Sequence, residues 1–208
     1  PGGSNQLLIN QVLYADSCNF NNIYICGVPK VSKGSTLKYL LPAQKEIIVS
    51  NIEPLKTLTT EVAFMDPIYK AIAFGVKSND KVVITDANLA QLQLIKTPSN
   101  QRSDRSIQQE VATLFKNFFD LTNAKLGTVF DYSYLVSQIL AVDGVSRLRT
   151  VRTDTYESFN GLSFFLWNPT YPDLDKQSVV NNVTLKDFEL MYFDGLSTID
   201  SKIVVVTE

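Results

Sequence analysis

Apolar positions along residues 106–152 recur at three- and four-residue steps, first as Ile107, Val111, Leu114, Phe115, Phe118 and Phe119. They recur again as Tyr132, Leu135, Val136, Ile139 and Leu140. Each set lines one face of a helix, so the stretch reads as two amphipathic helices in succession. Ser106 with Gln109 has the form of a capping box for the first helix. Asp131 has the form of an N-cap for the second. Gly144, after Asp143, is placed for the left-handed turn that stops a helix. A strand, 145–153, follows.

Elsewhere the period is two or the run is continuous. Asn22 to Val28 (NIYICGV) reads as a buried strand closed by Pro29. Pro42 suits a first-turn helix position, and AQKEIIVSNIE continues as a short helix that Pro54 ends. After a Met65-Asp66-Pro67 turn, Ile68, Ile72, Phe74 and Val76 alternate with Tyr69, Ala71, Ala73 and Gly75, a strand pattern that Lys70 interrupts. Ser78-Asn79-Asp80 turns into a short return strand, 81–85, and 97–105 is a polar loop. The order through residue 153 predicts an α+β fold: a small sheet with helices packed on one face, in a ferredoxin-like arrangement. Past Asp154 the composition shifts to strands over 161–167, 183–192 and 202–206, with no helical pattern. The expected division is therefore an α+β domain, 1–153, and a smaller β-rich domain, 154–208.

Composition narrows the chemistry. With 208 residues, 45% of them hydrophobic, the chain can bury a sizeable core. A net charge of −2 and a pI near 5.3 exclude a nucleic-acid binder that relies on bulk electrostatics. No apolar run is long enough to cross a bilayer as a helix. The start, Pro-Gly-Gly-Ser without Met, reads as that of a fragment. Two cysteines, Cys18 and Cys26, are too few for a disulfide framework, and Cys26 sits in an apolar run as a buried thiol would. There is no histidine. That removes the usual general base, the Ser-His and Cys-His nucleophile pairs and the commonest metal ligand. The chain is thus read as a non-enzyme without catalytic residues, metal, cofactor or small-molecule substrate. A hydrolase built on two carboxylates about 5–10 Å apart would need a pairing that no local signal marks.

Four features compete for a role. Arg147, Arg149 and Arg152 fit either phosphate or an acidic partner surface, or a solvated edge strand kept from mispairing by charge. Asp173 and Asp175 lack the spacing of a calcium loop. Asn182-Val183-Thr184 matches a glycosylation acceptor, incidental without a secretory signal. The aromatic cluster Phe159, Phe164, Phe165, Trp167 and Tyr171 is the richest. In a strand, Phe165 and Trp167 share one face and Phe164 takes the other. A small β unit cannot bury both, so one face is expected to meet another domain or chain. The interface candidates are Phe164, Phe165, Trp167, Tyr171, Arg147 and Arg149. As an exposed platform, Phe165, Trp167 and Tyr171 would instead make a carbohydrate- or peptide-binding module.

The run from Leu126 to Val145, of form LG-x-V-x6-L-x3-I-x3-DGV, resembles the C-terminal region of the baseplate J-like family. The likeness is greatest to the C-terminal part of the large baseplate wedge subunits of T4-type contractile-tail phages. NIYICGVPK, PAQKEIIVSNI, MDPIYKAIAFGV, the paired helices, SFFLWNPTYP and FELMYFDGLSTIDSKIVVV follow the element order of those proteins. The resemblance implies a structural viral protein of a contractile injection system, without enzymatic residues. It implies a homodimer or higher ring around the tail hub and contacts with other wedge proteins, but neither nucleic-acid binding nor membrane insertion. Its place would be the tail baseplate of the virion, after assembly in the host cytoplasm.

Overall fold

The computed structural model describes residues 22–29, 39–55, 61–77, 89–172 and 176–208. The expected return strand at 81–85 and the Asp173 and Asp175 loop lie outside them. The fold is mixed α+β, and the chain divides into two units, residues 1–29 with 38–66 and residues 30–37 with 67–208.

In the first unit, β1 (Asn22–Cys26) and β2 (Glu61–Met65) pair in parallel, with Cys26 opposite Met65. Helix α1 (Pro42–Ile52) lies between them in sequence. Pro42 opens it, where the missing N–H is harmless, and the Gln44 side chain accepts the Leu41 N–H at 2.9 Å. Pro54 falls in the 3-10 turn Glu53–Leu55 that ends the helix.

The second unit holds two four-stranded sheets. One runs in the order β11 (Glu189–Phe193), β3 (Ile68–Phe74), β8 (Phe164–Trp167), β9 (Gln177–Val179). The other runs β12 (Ile203–Thr207), β4 (Ala90–Lys96), β6 (Val145–Arg152), β7 (Glu157–Asn160). Both follow one scheme. A late strand pairs in parallel with an early one, and two antiparallel neighbours complete the sheet. A short ladder joins β5 (Val129–Phe130) to β10 (Val183–Thr184). Strands after residue 154 are therefore hydrogen-bonded to strands before it in both sheets. The expected boundary at 153/154 falls inside a single unit, because a composition shift does not interrupt a ladder.

Helices α2 (Asp104–Phe118) and α3 (Tyr132–Leu140) contribute their predicted apolar faces to the core, except for Leu140, which is exposed. Ser103, rather than Ser106, caps α2, its Oγ accepting the Ser106 N–H at 3.2 Å. Asp131 caps α3 as expected, accepting the Tyr134 N–H at 2.9 Å. Gly144 has φ +100° but lies past the Ala141 C-cap, where an added Cβ would meet Ile107 Cδ1 at 2.8 Å. A further short helix, α4 (Ile199–Lys202), leads into β12, where no helix was predicted.

The core is a lattice of phenylalanine rings. Phe115 of α2 meets Phe74 of β3 at 5.3 Å between centroids, and Phe193 of β11 lies 5.2 Å from Phe74 and 5.1 Å from Phe119. Such pairs add roughly 0.5–1.5 kcal/mol each beyond burial alone. The same helix reaches the other sheet through Gln108, whose amide donates to the Ile203 carbonyl at 2.8 Å. Lys70, the interruption in the β3 pattern, is buried and ion-paired with Glu189 at 3.5 Å. A buried cation is tolerated only with such a partner.

Candidate interaction surfaces

The six predicted interface residues separate into three environments. Phe164 is fully buried, stacked 5.6 Å from Phe74 in the phenylalanine lattice. Phe165 and Trp167, on the other face of β8, are buried as well, packed with Ala71, Ala73 and half-buried Tyr192. Gly75 is shaped by this packing: a Cβ there would lie 2.2 Å from the Phe165 ring. Tyr171 is half-buried beside a turn in which the Asn168 side chain accepts the Thr170 N–H at 3.0 Å. The alternation of faces was read correctly. The exposed stacking platform is corrected: β8 lies between β3 and β9, and its rings are withdrawn from solvent on both faces.

Arg147 and Arg149 lie on the sheet face opposite inward-facing Leu148 and Thr150. The Arg149 Nε donates to Gln93 Oε1 at 2.9 Å, and its Nη1 pairs with Glu208 Oε1 at 3.1 Å. Arg147, with its side chain 67% exposed, pairs with the same carboxylate. β6 is not an edge along its whole length: β7 pairs with Thr150, Val151 and Arg152, and Arg149 bridges to Gly161, while Arg147 is laddered to β4 alone among the described strands. Asn182 has a structural part: its side-chain oxygen accepts the Ser133 N–H at 3.0 Å, at the first turn of α3.

Sequence reasoning missed the β6–β7 hairpin tip, residues 153–156. Tyr156 there is 88% exposed, and with φ 55° it is the only non-glycine residue at positive φ among the described residues. A tyrosine in that region costs about 1–2 kcal/mol. The tip is held firmly. Arg152 grips Asp154 with two hydrogen bonds of 2.6 Å, and Thr153 bonds Leu89 O through both its N–H (2.8 Å) and its hydroxyl (2.6 Å). The hydrogen bond and charge of Arg152 hold the Asp154 carboxyl below its ordinary range. The available signal was a lone aromatic among turn-forming and charged residues, Thr-Asp-Thr-Tyr-Glu.

An open cleft of about 180 Å³ lies at the end of α2. Phe119, Phe130, Leu185 and Met191 give it an apolar lining, and Asn123, Lys125 and Thr128 supply polar groups. The Asp120 side chain turns back to accept the Thr122 N–H at 3.0 Å. With Lys125, exposed, it gives the lining one charge of each sign.

In the first unit, Lys45 pairs with Asp66 at 2.7 Å near the end of β2. Burial, and then the charge of Asp66, push the half-buried Cys26 thiol above its ordinary range, the opposite of an activated thiolate. Among the described residues no group of three or more acids and cysteines could hold a metal ion, and no helix is long and apolar enough to cross a membrane. In comparisons with known proteins, no family model matches the chain and no curated protein matches it.

Proposed function

We propose that the chain is a structural subunit of a contractile-tail baseplate wedge. It acts by assembling, with further copies and with other wedge proteins, into a ring around the tail hub in the virion. One observation carries the reading. The small first unit leaves Ile23, Tyr39, Leu41, Ile47 and Leu55 exposed, five of the ten large hydrophobics so placed among the described residues. Helix α1 buries none of its residues, although a stable helix normally buries an apolar face. Apolar residues left exposed in so small a unit favour a contact with another chain. The resemblance of the element order to that of baseplate J-like proteins supports the same reading and suggests the assembly.

The layer scheme is part of the proposal. We read the β12-β4-β6-β7 sheet, with α2 and α3 against one side, as the ferredoxin-like layer of helices on one face of a sheet. Its strand order is its own: β4 and β6 are adjacent and antiparallel, with both helices between them in sequence.

The test is co-purification of the tagged chain with the tail proteins encoded beside it, followed by electron microscopy of the product. The expected result is a stoichiometric complex of wedge or ring shape. A chain that purifies alone, while particles lacking it still contract and inject, contradicts the proposal.

A further inference from the structure

We draw no further inference here: the strongest candidate, the apolar cleft at the end of α2 lined by Phe119, Phe130 and Met191, carries nothing, because its lining holds one charge of each sign, Asp120 and Lys125, and nothing in the structure shows what covers it.

Discussion

Residues 164–167 and 153–156 lie close together in sequence and end at opposite extremes of exposure. Phe164, Phe165 and Trp167 are buried on the two faces of a strand with neighbours on both sides. Tyr156 sits on a turn leading into β7, the last strand of its sheet, and is almost fully exposed. A run of consecutive aromatics marks a strand buried on both faces, because such a run has no polar face to offer water. A lone aromatic among turn residues has no strand to carry it inward. The aromatic left most open to solvent is therefore the one outside the aromatic run.

Several substitutions would break or sharpen this contrast. The largest effect is expected for Phe164→Ala, which opens a cavity in the phenylalanine lattice and should destabilise by about 3–5 kcal/mol in urea denaturation. Trp167→Ala should lose about 3 kcal/mol, the low end of the same range, because the ring keeps slight contact with solvent. A loss below about 1 kcal/mol at either position would return β8 to the list of surfaces. Tyr132→Phe removes a half-buried hydroxyl that donates to Leu162 O at 2.6 Å and should cost about 1 kcal/mol. Burial raises the Tyr132 pKa. The folded state therefore favours the neutral phenol, so this contribution is complete below the ordinary tyrosine value of about 10 and fades as pH rises beyond it. Alkaline denaturation should be correspondingly shallower in Tyr132→Phe.

Tyr156→Gly is expected to move stability the other way. Relief of about 1–2 kcal/mol of left-handed strain, against about 0.5–1 kcal/mol of added chain entropy, leaves a gain of about 0.5–1 kcal/mol by thermal melting. A net loss would mean that Tyr156 packs within its own chain. Arg147→Ala should be the quietest, within about 1 kcal/mol of wild type, because its pair with Glu208 is exposed and screened.

Much of the second unit was legible in the sequence where one period dominated. The paired helices, the Asp131 cap and the two faces of β8 followed from spacing alone. Strand β4 was missed although Ala90, Leu92 and Leu94 alternate with Gln91 and Gln93, because the β-branched run at 81–85 just before it carries the stronger strand signal. β7 and β9 are too short for any periodicity, and β2 was not recognised beside the Asp-Pro turn. The division at 153/154 failed for a topological reason. Strands far apart in sequence, such as β12 and β4, share a ladder, and no local pattern encodes that pairing. The cleft was illegible for the same reason, since it draws on α2, β5 and β11 together. Tyr156 was visible but outweighed by the richer aromatic run, and its positive φ is a property of the folded turn.

Co-purification with the neighbouring tail proteins tests the central claim, that the exposed apolar residues of the first unit make the contact through which the chain assembles, most directly. Leu41→Asp, Ile47→Asp and Leu55→Asp together are expected to abolish the complex while leaving the melting temperature of the chain little changed. A triple variant that still co-purifies in full with those proteins would contradict the claim.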